Sequence, residues 1–132
     1  MHIVELSTKA RSELVSITRQ VGDIVSKSDI QSGVAVICST HTTAGVTINE
    51  NADPHVVADM TAMLDRIVPR HYEYQHGEGN SDAHIKASLI GLSVMVPVED
   101  GKLVLGTWQG IYFCEFDGPR RRRVVVQLLP GG

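Results

Sequence analysis

Apolar and polar positions along the chain change period several times, and the changes mark its elements. Residues 2–8 put Val4 and Leu6 on one face and Glu5 and Ser7 on the other, a half-buried strand. Residues 13–19 are rich in strand formers and could pair with it. Val21, Ile24, Val25 and Ser28 fit helical spacing, so a short helix is expected over 21–31, stopped by Gly33. Gly33 to Cys38 is an unbroken apolar run that reads as a strand buried on both faces.

The middle of the chain carries two amphipathic helices. Asp53-Pro54 offers an N-cap followed by proline in the first turn, where a missing N–H costs nothing. Val56, Val57, Met60, Met63, Leu64 and Ile67 then form one stripe that ends before Pro69. A second helix is expected from Ser81 as cap, burying Ile85, Ser88, Leu89 and Leu92 and meeting Gly91 near its end.

The last third alternates again. Val94–Val98 and Lys102–Leu105 flank Glu99-Asp100-Gly101, a hairpin signal, and Pro97 places its strand at an edge or a bulge. Ile111–Phe116 and Arg122–Leu129 flank a second turn at Asp117-Gly118-Pro119. Strands at both ends with two main helices between them predict an α+β fold. It is a single compact domain over 1–132, with a mostly antiparallel sheet or two packed sheets carrying the helices.

Composition narrows the functional classes. A chain of 132 residues with 42% hydrophobic and 20% charged residues buries one core without staples. The net charge of -3 gives no global pull towards nucleic acid or anionic membrane. No run reaches the roughly 18 apolar residues of a membrane span, and the start lacks the basic and apolar blocks of an export signal. A cytoplasmic setting is expected. Cys38 and Cys114 lie far apart within apolar runs, which predicts buried free thiols rather than a disulfide.

Six histidines matter only if several converge. His41 opens His41-Thr42-Thr43-Ala44-Gly45, read as a polar loop leading to Asn49-Glu50-Asn51-Ala52-Asp53. His76 and His84 bracket the glycine-rich segment Gly77-Glu78-Gly79-Asn80-Ser81-Asp82. Imidazoles and carboxylates at strand ends are what a divalent zinc, magnesium or manganese ion needs, although no H-E-x-x-H spacing is present. His2, His55 and His71 read as surface or hydrogen-bonded residues.

The helix start at Ser81 either caps itself or offers free N–H groups to a phosphate, and Asp82 in the first turn favours the cap. In Arg120-Arg121-Arg122-Arg123, alternation puts Arg120 and Arg122 on one side and Arg121 and Arg123 on the other. The run is either a solvated edge that discourages aggregation or a pair reaching a phosphate. Trp108, between Gly106 and Gly110, is a core anchor or a stacking wall; the glycines call for a bulge or a close approach.

Three long segments together carry a family resemblance: His41–Asp53, His76–Lys86, and Gly106–Gly110 with Glu115–Arg120. They resemble the YjbQ family, an uncharacterised protein family also called the secondary thiamine-phosphate synthase enzyme family, and the likeness spans essentially the whole chain. It implies a β-rich α+β fold, a homotrimer and a weak thiamine-phosphate-synthase-like transferase activity. In that reaction a pyrimidine-methyl pyrophosphate and a thiazole phosphate join and pyrophosphate leaves. On this reading the metal ion falls to His41, His76 and His84, with Glu50 or Asp82 as carboxylate ligand or base. Arg120 and the start at Ser81 hold phosphate. Thr42, Asn49, Asn80, Trp108 and Gln109 bind substrate, Trp108 by stacking on the pyrimidine. A metal-assisted hydrolase and a trimeric small-ligand-binding protein are the alternatives.

Overall fold

A computed structural model of the chain describes residues 1–131. In chain order the elements are β1 (His2–Ser7), β2 (Glu13–Ser16), α1 (Thr18–Lys27), β3 (Ser32–Ser39) and β4 (Ala44–Glu50). These are followed by α2 (Pro54–Ile67), α3 (Ser81–Ile90), β5 (Ser93–Glu99), β6 (Lys102–Leu103), β7 (Gln109–Glu115) and β8 (Arg121–Pro130). Two antiparallel sheets form, one in the order β1-β8-β3-β5-β6 and one in the order β2-β7-β4. The α+β expectation and the two-sheet variant of it both hold.

The core lies between the sheets. Val4, Ala35, Ile37, Val96, Val98, Val124 and Val126 from the larger sheet meet Ala44, Val46, Ile111 and Phe113 from the smaller one. Helix α1 closes this layer with Ile17, Val21 and Val25, an i, i+4, i+8 stripe that is almost fully buried. That stripe explains why the helix begins at Thr18 and not at Val21, and why the strand before it ends at Ser16. The strand formers Ile17 and Thr18 are claimed by the helix once Ile17 is drawn inside. Strand β2 then pairs with β7, not with β1.

On its other face the smaller sheet carries α2 and α3, with Tyr112, Cys114 and Phe116 packed against Ala83, Ala87, Leu64 and Ile90. Asp53 caps α2 as expected, its carboxylate accepting from the His55 N–H at 2.9 Å, with Pro54 in the first turn. The cap of α3 is Asn80; Ser81 is the first helical residue. Gly45 lets α3 close onto β4, because a Cβ there would sit 2.5 Å from the Gly91 carbonyl oxygen, which accepts from the Val46 N–H.

Three strand expectations change. The segment after His41 is not a loop throughout: Ala44–Glu50 is β4, an edge strand whose Ala44 and Val46 face the core. Strand β3 is buried on one face through Ala35, Ile37 and Ser39 and only half-buried on the other. Strand β8 is not an edge, since it lies between β1 and β3. The Arg120–Arg123 run therefore does not guard a sheet edge.

The β5–β6 hairpin forms over Asp100-Gly101, both at positive φ, and its second arm is only two residues long. Pro97 pairs with Val34 of β3 and accepts from the Val104 N–H, so its missing donor faces the side where β6 has ended. Both cysteines are free, and burial pushes the Cys114 thiol up to about 12. No helix among the described residues is long and apolar enough to cross a membrane.

Candidate functional site

At one end of the sandwich the core stripes finish in charge. Ile111 and Phe113 of β7 point inward, and the next residue on that face is Glu115; Val126 and Val124 of β8 are followed by Arg122. The two charges meet. Arg122 Nε donates to Glu115 Oε1 at 2.8 Å and Nη2 donates to Oε2, with both side chains at most 2% exposed. Thr8 and the Asp117 N–H also donate to the Glu115 carboxylate, and Arg122 Nη2 donates to Thr43 Oγ1 at 2.9 Å. Burial would raise the Glu115 pKa, but these donors outweigh it and hold the carboxyl below its ordinary range.

Above this pair opens a polar cleft of about 380 Å³. Its walls are the Thr40–Thr43 segment between β3 and β4, the Glu78–Asn80 approach to α3, His84 on α3, and Asp117, Arg120 and Arg122. Arg120 and Arg122 both line it, the pair that alternation puts on one side. Arg120 is half exposed and tied to Asp117, its Nε donating to the carbonyl at 2.9 Å and Nη2 to the carboxylate at 3.1 Å. The same carboxylate accepts from Asn80 Nδ2 at 2.9 Å, which leaves Asn80 Oδ1 buried without a partner.

His41 has a defined tautomer. Its Nε2 accepts from the backbone N–H of Arg123 at 2.9 Å, so in the neutral ring the proton sits on Nδ1. Burial, followed by Arg122, Arg120 and Arg123, pushes its pKa down, which keeps the ring neutral. The cleft thus combines a half-exposed guanidinium, a neutral imidazole, three threonine hydroxyls and a second imidazole at His84. Such a set of donors suits an oxyanion.

Of the residues expected in the site, His41, Thr42, Asn80, His84 and Arg120 line this cleft. His76 and Ser81 line an adjoining cavity with His84, and the His76 and His84 rings stand edge-to-face 5.6 Å apart. Asp82 is withdrawn: it is fully buried, accepting from Nη1 and Nη2 of Arg11 and paired with Lys86. Burial opposes its ionisation, but the Arg11 bonds prevail and hold its pKa down.

Asn49, Glu50, Trp108 and Gln109 lie elsewhere. Ala44 pairs with Glu115 at the cleft end of the β4–β7 ladder, whereas Glu50 pairs with Gln109 at the other. Six residues of strand separate these ends by about 20 Å. Trp108 is 63% exposed in the turn before β7, neither a core anchor nor a wall of the cleft. Gly110 meets the expected close approach, since a Cβ there would lie 2.6 Å from Asn51 Cβ.

The three-histidine metal set is not assembled by one chain. His41 Nε2 is engaged by Arg123, and among the described residues no three His, Cys, Asp or Glu side chains gather into a group that could hold a metal ion. Thr40, Thr43, Glu78, Asp117 and Arg122 are cleft residues not singled out as site residues above. Thr43, Glu78 and Asp117 lie within the segments that carry the family resemblance, and Arg122 was marked by its alternation with Arg120.

The model of the family described as "UPF0047 protein YjbQ-like" matches residues 2–131. A UPF0047 protein of Methanocaldococcus jannaschii is 51% identical over 125 residues, covering 95% of this chain and 91% of the relative. The UPF0047 protein YugU of Bacillus subtilis is 50% identical over 127 residues, covering 96% of each. Among solved structures, an uncharacterised YjbQ/UPF0047 protein from Clostridium acetobutylicum superposes with a TM-score of 0.96 at 50% identity, covering 98% of this chain and all of that one. A YbjQ-like protein of unknown function from Sulfolobus solfataricus does so at 0.95 and 34% identity, covering 98% and 96%.

Proposed function

This chain belongs to the UPF0047 YjbQ-like family, and on that premise we propose that its polar cleft binds the phosphate of a small phosphorylated compound and serves a transferase reaction there. The observation that carries the reading is the convergence of Arg120, the Nδ1–H of His41 and the threonine hydroxyls over the buried Arg122–Glu115 pair. Arg120 neutralises phosphate charge, and the Nδ1–H of the neutral His41 ring orients a phosphate oxygen. His84, beside them on α3, exchanges a proton with the oxygen whose bond is made or broken.

Thiamine phosphate formation is the candidate reaction. The carbon–oxygen bond of the pyrimidine-methyl pyrophosphate breaks, the thiazole nitrogen bonds to that carbon, and pyrophosphate departs with the negative charge that the half-exposed Arg120 receives. No step runs through a metal ion, because the ligands gathered by one chain do not complete a site for one. For the hydrolase alternative, Glu50 and Asp82 do not reach the cleft, and its base would fall to Glu78, a carboxylate that does. Self-association is part of the proposal, with the homotrimer taken from the resemblance. It is supported by α2, which carries an apolar stripe yet contributes no fully buried side chain, with Met63 52% and Ile67 62% exposed.

The test is titration of the two substrates into wild type, Arg120→Gln and His84→Ala, with product followed chromatographically, with and without added divalent ions. Arg120→Gln should weaken phosphate binding at least tenfold. His84→Ala should lower turnover by about 10²–10⁴-fold with binding kept. Binding without turnover beyond that of His84→Ala would leave a binding protein, and no binding at all would refute the reading.

A further inference from the structure

The turn that carries Arg120 is gripped from outside the cleft. It joins β7 to β8, and the loop between β1 and β2 lies along it. The Gly118 N–H donates to the Arg11 carbonyl at 3.0 Å, the Thr8 N–H to the Arg120 carbonyl at 2.9 Å, and the Arg120 N–H to Thr8 Oγ1 at 2.9 Å. Those bonds fix the Arg120 backbone and leave its long side chain free. An arginine free to change rotamer loses that freedom when it binds an anion, and affinity falls accordingly.

Asp117 removes the freedom beforehand. Its carbonyl accepts from Arg120 Nε at 2.9 Å and its carboxylate from Nη2 at 3.1 Å, so a single residue occupies one edge of the guanidinium. Nη1 and the second N–H of Nη2 remain as a fork, the arrangement that meets two phosphate oxygens in parallel. Asp117 is anchored in turn. Its Oδ2 also accepts from Asn80 Nδ2 at 2.9 Å, at the cap of α3, and its Oδ1 lies 4.0 Å from Arg11 Nη2. Arg11 is itself clamped on Asp82 in the first turn of α3, at 3.0 and 3.2 Å. The α3 wall of the cleft and the Arg120 wall therefore meet at one carboxylate.

Charge alone gives no reason for a carboxylate in this place. Asp117 lines the same cleft as Arg120, and its negative charge repels a bound phosphate. We propose that Asp117 is the positioning residue of the cleft: it holds Arg120 with its outer fork free for the phosphate, and Arg11, which does not line the cleft, holds Asp117. The inference rests on the phosphate reading above and adds what sets the strength of that binding.

The sign of one substitution separates positioning from simple charge. Methyl phosphate is titrated by calorimetry and phosphorus NMR into wild type, Asp117→Ala, Asp117→Asn and Arg120→Gln, with Asp117→Ala repeated in the Arg120→Gln background. A carboxylate that only competed with the ligand would, on removal, leave tighter binding. Positioning predicts the reverse, and Asp117→Ala should bind about three- to tenfold more weakly, the cost of ordering one long side chain. Asp117→Asn keeps an acceptor where Oδ2 stands and removes the charge, so it should bind at least as tightly as wild type. With Arg120→Gln present, Asp117→Ala should leave binding within about twofold or tighten it, because no arginine remains to be held. Asp117→Ser, too short to reach Nη2, takes the place of the alanine variant if that one does not fold. Arg11→Lys keeps a charge beside Asp82 but not the fork that also faces Asp117, and it should weaken binding in the wild-type background and not beside Asp117→Ala.

Binding by Asp117→Ala as tight as that of wild type would overturn the proposal and leave the phosphate cleft standing. Equal weakening with and without Arg120 would overturn it as well, since the loss would then come from a distorted cleft. Arg11→Lys acting alike in both backgrounds would overturn the part given to Arg11. Failure of wild type to bind methyl phosphate would overturn the phosphate reading and this inference with it.

Discussion

The buried Arg122–Glu115 pair makes a quantitative prediction about the floor of the cleft. Arg122→Met leaves a carboxylate at 0% exposure with Thr8 and the Asp117 N–H still donating but no countercharge. Glu115→Leu leaves a guanidinium in the same place with only Thr43 to bond. Removing one partner of such a pair costs about 3–5 kcal/mol, whereas replacing both by apolar side chains is often neutral or better. For a domain of this size an unfolding entropy of about 0.28 kcal/mol/K turns 3–5 kcal/mol into a fall in Tm of about 11–18 °C. Each single variant should therefore melt lower by that amount at pH 7, and the double variant should recover above both.

The pH dependence carries the sign of the carboxylate. Its folded pKa lies below its unfolded one, so its contribution is complete above the ordinary carboxylate range and is lost as pH falls through the folded value. Wild type should lose stability on acidification more steeply than the double variant. Calorimetry on the four proteins between pH 3 and 7 makes the comparison. Single variants within about 1 kcal/mol of wild type, or a double variant no better than its parents, would refute the account of two mutually dependent buried charges.

Three further outcomes follow from the same geometry. Gly45→Ala sets a methyl against the Gly91 carbonyl and should cost about 1–3 kcal/mol in urea unfolding. Asp53→Ala removes the cap of α2 and should cost about 1 kcal/mol, read in the same assay. The His41 pKa is lowered in the fold, so its contribution is complete above the unfolded imidazole value and is lost as pH falls below it. His41→Gln can still accept from Arg123 and should flatten stability between about pH 7 and 5, whereas a slope identical to wild type would contradict the assigned tautomer.

Local pattern carried much of the fold, and it failed where pairing is remote. The α2 cap, the Asp100-Gly101 turn and the Arg120/Arg122 side of the basic run were legible because each is decided within a few residues. Strand β4 was not: His41, Thr42 and Thr43 before it and Asn49-Glu50-Asn51 at its end drown the inward step of Ala44 and Val46. Nor does anything near Arg122 announce a buried Glu115 on another sheet. Asp82 shows the opposite error. A carboxylate in the first turn of a helix looked like part of a site, but four residues on stands Lys86, its buried i,i+4 partner.

The position of β8 has a consequence for assembly. Its neighbours are β1, from the other end of the described chain, and β3. Until β8 docks, the larger sheet is two unjoined pieces, a lone β1 and the β3-β5-β6 group. The same strand brings Arg122 to Glu115 and the Arg123 N–H to His41. Closing the sandwich and arming the cleft are therefore one event, and a folding intermediate that lacks β8 cannot display the site ahead of the finished fold.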